Sequence, residues 1–160
     1  MTAQPARNGF DRLGRLRRLS TPLEVAQIER FGTSALALLF RTDVVVLHST
    51  GRRSGLERTT PLACTPDPLA MGRDHVLLVV GGAGGQARVP DWAANLRAHP
   101  RAAVTHRRRR LDVVAEQLEG EERTLLWAHL ARVWPRITVY ERRAGRAVPV
   151  FRLTPTEHSS

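Results

Sequence analysis

The sequence predicts an α+β protein built on an antiparallel β-barrel of about six strands, preceded by helices. Short β-branched or apolar segments recur along the chain, beginning with Val44-Val45-Val46. One short helix and one long helix interrupt them, so the regular strand–helix alternation of a parallel sheet is missing. With 160 residues and 42% hydrophobic content, the chain is long enough for one domain to bury a core.

Residues 1–42 are predicted to form a helical segment that packs on the barrel. Apolar residues recur at every third position between arginines, which is typical of a short basic amphipathic helix; they are Phe10, Leu13, Leu16 and Leu19. Thr21 is a candidate N-cap of a second helix, with Pro22 at its first position. We expect both helices to cap the core. The alternative is that residues 1–20 contact an anionic membrane surface peripherally.

The barrel domain is predicted over 43–155, followed by a polar tail at 156–160. Its strands are predicted at 43–48, 59–64, 75–80, 102–106, 111–115 and 149–153. Pro90-Asp91-Trp92 opens a short helix that ends near His99-Pro100, and a long helix covers 119–133 before Trp134-Pro135 interrupts it. The arginine run 107–110 is predicted to be a solvated hairpin tip.

An anion-binding cradle is predicted in the stretch 49–61, between the first two strands. Gly51 and Gly55 allow backbone angles that are closed to other residues. Positive charges and hydroxyls surround them, and such groups bind phosphates and carboxylates. These side chains are Arg52, Arg53, Ser54, Arg58, Thr59 and Thr60. A second glycine-rich loop, 81–85, leaves its amides open to close approach by a ligand.

Composition narrows the classes of function. The net charge of +10 comes entirely from arginine, which favours an anionic partner without naming it. No nucleic acid partner is expected, because groove-reading motifs are missing and the aromatic residues are too scattered to stack bases. The apolar run Ala35–Phe40 falls short of the roughly 20 residues of a membrane span, so we expect a cytoplasmic protein, with the inner membrane face as a peripheral alternative. Cys64 is predicted to be a small core residue, and the histidines show no metal-ligand spacing, so no metal is expected.

Four motifs in order resemble the deazaflavin-dependent nitroreductase family, split β-barrel proteins of FMN-binding-like fold that bind coenzyme F420. The resemblance covers about 44–155. The motifs are Thr50-Gly51-Arg52-Arg53-Ser54-Gly55 with Arg58-Thr59-Thr60-Pro61-Leu62, the glycine loop, Pro90-Asp91-Trp92 with Asn95-Leu96 and Pro100, and Pro149-Val150 with Leu153-Thr154-Pro155.

The resemblance implies a set of coenzyme-binding residues. Those for the phosphate and glutamyl tail are Arg52, Arg53, Ser54, Arg58, Thr59, Thr60, Pro61, Leu62 and Ala63. Those around the deazaflavin ring are Val80, Gly81, Gly82, Ala83, Asp91, Trp92 and Asn95. Gly82 and Ala83 replace a basic residue and a serine of the family pattern.

The resemblance also implies a substrate pocket at Trp134, Ile137 and Tyr140, where better-known members carry tyrosines. Tyr140 is the candidate catalytic residue, since Ile137 cannot donate a proton. The predicted function is hydride transfer from reduced F420 to an electron-poor acceptor such as a quinone, an enone or a nitroaromatic compound. The alternatives are an FMN-binding split-barrel reductase, a non-catalytic F420 carrier and an anionic-membrane-binding module. By analogy with split barrels, the chain is expected to form a homodimer.

Overall fold

The computed structural model describes residues 22–73, 75–82 and 86–156, and the statements that follow concern these residues. In chain order the elements are α1 (22–31), α2 (Ala35–Phe40), β1 (Asp43–Thr50), β2 (Glu57–Pro66), β3 (Leu77–Val80), α3 (Asp91–Ala98), β4 (Arg101–His106), β5 (Arg109–Gln117), α4 (Gly120–Val133), α5 (Arg136–Ala144) and β6 (Val150–Pro155). The amphipathic helix predicted around 10–19, the cap Thr21 and the site residue Ala83 lie outside this part of the chain. None of the described helices is long and apolar enough to cross a bilayer.

The described strands close into one barrel in the order β1-β2-β3-β6-β5-β4, and every neighbouring pair is antiparallel. This confirms the predicted antiparallel barrel and the α+β class. The prediction succeeded because most strand segments are runs of β-branched and apolar residues, which suit a pleated surface buried on one or both faces.

The barrel interior is filled by alternate residues of the strands together with one side of α3. Trp92 of α3 is 7% exposed and packs against Phe151 of β6, with ring centroids 5.8 Å apart and an interplanar angle of 60°. Ala93 and Leu96 of the same helix join this cluster. The short helix α3 is therefore held rigidly by the core, which matters for the site because its polar residues face the loop between β1 and β2.

Two helical layers cover separate parts of the outer barrel surface. Residues from α1 and α2, among them Ile28 and Ala37, pack on Val44 and Val46 of β1. The second layer covers β3 and β6, where it packs on Leu78 and Val150. Its buried residues come from α4, α5 and the chain just before α4, and are Leu118, Leu126, Leu130 and Ile137. Strand β2 lies between β1 and β3, so its outward side remains open between the two layers.

The segment 136–144 is a helix that no clear pattern in the sequence predicts. Pro135 ends the preceding run, but proline at a helix start costs nothing because its missing N–H would have no helical partner there. Helix α5 ends at Gly145, which has φ of +61°. The result is a second helix that brings Tyr140 back toward the barrel.

Candidate functional site

The chain between β1 and β2 forms a tight loop over residues 51–56. The amide of Gly51 donates to the carbonyl of Leu56 at 2.8 Å, and the amide of Gly55 donates to the carbonyl of Gly51 at 2.8 Å. A Cβ on Gly51 would lie 2.7 Å from Ser54 Oγ, and Gly55 has φ of +70°. Both glycines are therefore required by the geometry of the loop.

Arg52 ties this loop to helix α3. Its backbone amide and its Nη1 donate to Oδ1 of Asn95, at 3.1 and 3.0 Å, and its Nη2 donates to Oδ1 of Asp91 at 3.1 Å. The hydrogen bond from Arg52 and the charge of Arg88 hold the pKa of Asp91 below its ordinary value. Asn95 is only 4% exposed, so its amide is a fixed acceptor. The structure thus places Asp91 and Asn95 as supports of the loop.

Arg53 and Arg58 are the exposed cations of the loop and its flank. Arg58 Nη2 donates to Ser54 Oγ at 3.4 Å, and the same oxygen accepts from the amide of Leu56 at 3.2 Å. Arg58 is paired in register with Ser49, whose hydroxyl is buried without a hydrogen-bond partner among the described residues. Guanidinium groups therefore stand at the solvent side of a rigid loop, a suitable arrangement for binding an anion.

The outward side of β2 forms an open strip beside this loop. Pro61 and Ala63 pair with Val46 and Val44, which face outward beneath α1 and α2, so the β2 residues share that face. Thr59 and Ala63 are exposed and Pro61 is half-buried. Thr60 and Leu62 alternate to the inward side, where Leu62 packs on the barrel core. We call the strip of Thr59, Pro61 and Ala63, with the helical layers on either side of it, the β2 groove.

The segment after β3 packs against the end of the chain that carries Tyr140. A Cβ on Gly81 would lie 2.7 Å from Pro149 Cγ, and one on Gly82 would lie 3.2 Å from Cδ2 of Tyr140. The amide of Gly81 donates to the carbonyl of Pro149 at 2.8 Å. The structure thus brings together Gly82 and Tyr140, and the missing side chain of the glycine allows this close packing. Val80, next to them, packs on the outer cluster of α4 and α5.

The remaining aromatic and apolar site residues lie in different environments. Trp92 is buried in the barrel core and presents almost no ring surface to a ligand. Ile137 is 5% exposed and packs in the outer cluster, so it offers little surface for a substrate. Trp134 is half-buried, and its Nε1 donates to Thr42 Oγ1 at 3.2 Å. Trp134 therefore links the helical layer over β3 to the chain that enters β1, on the two sides of the β2 groove.

Sequence reasoning missed Arg146, whose guanidinium donates to backbone carbonyls on both sides of the glycine-rich segment. These carbonyls belong to Gly81, Gln86, Ala87 and Arg88. The partners lie about 60 residues away along the chain, so no local pattern could indicate them. The structure confirms the exposed hairpin tip predicted at 107–110, where Arg107 also pairs with Asp43 and Arg110 with Glu57.

A group of three potential metal ligands, which the spacing of histidines did not indicate, lies inside the described barrel. The donor atoms of Asp43, Cys64 and His106 are within 4.8 Å of one another. Burial alone would raise the pKa of Asp43, but the hydrogen bond and charge of His106, with help from Arg107, lower that pKa overall. Burial raises the pKa of the Cys64 thiol, and this disfavours the thiolate, which is the form that binds metals. The ion pairs of Asp43 with His106 and Arg107 explain why these side chains lie close together.

His48 occupies a separate polar cluster on the outer side of β1. Its Nε2 lies 2.9 Å from Thr105 Oγ1, its Nδ1 lies 3.4 Å from Glu57 Oε1, and Glu29 stands 4.0 Å away. Burial first, and Arg110 second, lower the pKa of His48, and the two glutamates oppose this only in part. His48 also lines a cavity of about 490 Å³, together with Ser49, Arg101, Arg110 and Asp112 among others. The residues of the β2 groove are not part of this lining.

The lowered pKa of His48 predicts that the protein loses stability as the pH falls below 6.5, its ordinary pKa. Because the unfolded chain takes up the proton more readily than the folded one, the stabilisation is complete above that pH and is lost as the pH falls through the folded-state pKa. Urea unfolding at pH 7.5, 6.5 and 5.5 measures this loss. His48→Gln should flatten the dependence, while His99→Gln, at an exposed position, should retain it; equal slopes for the wild type and His48→Gln would contradict the assignment.

These features define the class: an α+β split barrel with a rigid cationic loop beside an open groove. Residues 22–155 match the family described as F420H(2)-dependent quinone reductase. Two F420H(2)-dependent quinone reductases of Mycobacterium tuberculosis, from strains H37Rv and CDC 1551, are each 30% identical to this chain over 118 residues, covering 69% of it and 72% of the relative. The chain belongs to the F420H(2)-dependent quinone reductase family.

Solved structures agree with this assignment. A structure titled F420-H2 dependent reductase (FDR-A) has a TM-score of 0.59 and 30% identity, covering 69% of this chain and 92% of that one. Another, titled as a domain-swapped dimer, has the same score and identity and is covered over 78% of its length. The heme storage protein HutZ of Vibrio cholerae, at 14% identity and a TM-score of 0.51, shares the fold alone. The expected split barrel and F420-dependent oxidoreductase function are confirmed.

Proposed function

We propose that this chain binds coenzyme F420 across the 51–58 loop and the β2 groove, and uses the reduced coenzyme to reduce a quinone-like acceptor. The observation that carries the proposal is the pair of exposed guanidiniums, Arg53 on the loop and Arg58 at the start of β2, beside the anchor that Arg52 makes to the buried Asn95. Relatives named F420H(2)-dependent quinone reductases support the choice of both coenzyme and acceptor.

The residues present fit the coenzyme. The tail of F420 carries a phosphodiester and glutamyl carboxylates, and two exposed guanidiniums with hydroxyls at Ser54 and Thr59 suit such an extended polyanion. At the other end of the groove Gly82 packs closely against Tyr140, and we infer that the deazaflavin ring lies beside this contact.

When bound, the coenzyme supplies the hydride, and the protein supplies binding, orientation and exclusion of water. Arg53 and Arg58 hold the tail, and the rigid loop fixes its position along β2. We infer that the acceptor lies against the wall formed by Trp134 and Tyr140. Tyr140 is the proposed proton donor at this wall, because its neighbour Ile137 has no proton to give; solvent at the open groove is the alternative source.

The experiment that tests this function mixes the purified protein with oxidised F420 and follows fluorescence quenching or calorimetric heat. Binding in the micromolar range is expected, and no binding at high micromolar concentration would refute the proposal. Stopped-flow oxidation of reduced F420 by a panel of quinones, enones and nitroaromatics then identifies the acceptor. Binding without turnover would leave a coenzyme carrier, and a yellow protein with an FMN spectrum as purified would favour the FMN alternative.

The proposal includes a homodimer, which the related chain titled as a domain-swapped dimer supports. Light scattering coupled to size-exclusion chromatography decides this by mass, since a monomer has 17.8 kDa. A monomer at working concentration would remove the dimer from the proposal and leave the coenzyme site unaffected. The cytoplasmic location and the membrane contact of residues 1–20 stay predictions.

A further inference from the structure

We propose that Arg146 is a positioning residue for the coenzyme site: it fixes the chain on both sides of the glycine-rich segment and couples that chain to the anion-binding loop. The inference rests on the proposed function, in which both regions contact F420. Arg146 lies in the connection between α5 and β6, outside every motif of the sequence.

The guanidinium of Arg146 acts as a clamp on backbone carbonyls. Its Nε donates to Ala87 O at 3.0 Å, and its Nη2 donates to Gln86 O and Arg88 O at 3.1 Å and to Gly81 O at 3.4 Å. Gly81 precedes the glycine-rich segment, while 86–88 follow it. A planar, permanently charged fork can serve acceptors on both sides at once, which a single ammonium group does less well.

A continuous set of contacts leads from this clamp to the anion-binding loop. Arg88, whose carbonyl accepts from Arg146, uses its own guanidinium to pair with Asp91 at 2.8 Å. The same Asp91 oxygen accepts from Arg52 at 3.1 Å, and Arg52 lies at the start of the loop that presents Arg53. The two regions proposed to hold the coenzyme ring and its tail are thus joined through Arg146, Arg88, Asp91 and Arg52.

The position of Arg146 also connects the clamp with Tyr140. Gly145 ends α5 in the left-handed conformation, and Pro149, at the other side of the connection, packs on Gly81. Helix α5 carries Tyr140 against Gly82. Loss of the clamp therefore loosens the contact between the glycine segment and the wall of the groove, without removing any group that is proposed to touch the coenzyme.

The test compares Arg146→Ala and Arg146→Lys with Arg152→Gln as the matched control. Arg152 is a half-buried arginine of β6 whose acceptors, Asp67, Glu116 and Glu122, are all different from those of Arg146. The first readout is hydrogen–deuterium exchange of coenzyme-free protein in peptides covering 80–90. Arg146→Ala should accelerate exchange there by roughly tenfold or more, Arg146→Lys by less, and Arg152→Gln should lower overall stability without changing this region.

The second readout is F420 affinity, with kcat and KM for the best acceptor, measured where every variant is folded. Arg146→Ala should weaken affinity and lower kcat/KM by roughly 10- to 100-fold, with partial rescue by guanidinium ion in the buffer. If the wild type binds F420 and Arg146→Ala binds and turns over equally well, the inference fails and the proposed function stands. If the wild type does not bind F420, both fail. Unchanged exchange in Arg146→Ala would overturn the clamp itself.

Discussion

Replacing Arg53 and Arg58 together by alanine is expected to weaken F420 binding by about two to four orders of magnitude. Each guanidinium can make a charge-assisted hydrogen bond worth roughly 1.5–3 kcal/mol to a phosphate or carboxylate, so two of them contribute about 3–6 kcal/mol. Both side chains are exposed, and they lie outside the contacts that hold the loop to α3, so the variant should keep the fold. Fluorescence titration with oxidised F420 gives the dissociation constants.

A double variant of equal charge change provides the control. Arg108→Ala with Arg109→Ala also removes two exposed arginines, from the β4–β5 hairpin, and should change affinity by no more than a small factor that disappears at higher salt. Specific contacts in the loop predict a difference between the two variants at every salt concentration. Equal weakening of binding in both variants would show that the overall charge of the protein attracts the coenzyme, and that the 51–58 stretch makes no specific contacts with it.

Arg52 holds the anion-binding loop in place, and only part of this arrangement could be predicted from the sequence. The glycines and arginines of 51–58 are local, so their pattern alone indicated an anion-binding loop. The partners of Arg52, Asp91 and Asn95, lie 39 and 43 residues further along the chain. Their role as supports of the loop depends on the closure of the barrel by α3, which no local pattern contains.

The strands could be predicted where burial on both faces produces a continuous apolar run. Val45 faces the barrel interior while Val44 and Val46 lie beneath α1 and α2, so β1 has no polar alternation and is easily found. The start of β3 was predicted two residues too early. The amide of Val76 donates to the carbonyl of Arg73, and the strand itself begins at Leu77.

The site residues were harder to assign than the fold because side-chain environment depends on tertiary packing. Trp92 was expected beside the coenzyme ring, but an aromatic side chain on the apolar face of a short helix is equally suited to closing a barrel core. Tyr140 and Gly82 are brought together only because α5 turns back over β3. Proximity of this kind follows from topology, whereas composition and spacing determine only which residues are available.

Phe151→Ala is expected to destabilise the protein by about 3–5 kcal/mol, the usual cost of removing a buried aromatic ring. Phe151 is 1% exposed, and its ring packs on Trp92, so the alanine leaves a cavity at the junction between the barrel and α3. A domain of this size has a free energy of unfolding of about 5–15 kcal/mol, so the loss is a large fraction of the total. Urea unfolding measures it. Leu125→Ala, at a position 60% exposed on α4, should change stability by less than about 0.5 kcal/mol.

Phe151→Ala should also weaken F420 binding, because α3 connects the barrel core to the coenzyme site. Trp92 sits on the helix whose Asp91 and Asn95 hold Arg52, so a looser Trp92 loosens the anchor of the anion-binding loop. F420 affinity of the folded Phe151→Ala protein, measured well below its unfolding midpoint, should therefore fall, while Leu125→Ala binds like the wild type. A destabilised Phe151→Ala variant with unchanged affinity would show that the loop keeps its geometry independently of the barrel core, and that Arg52 holds α3 in place rather than the reverse.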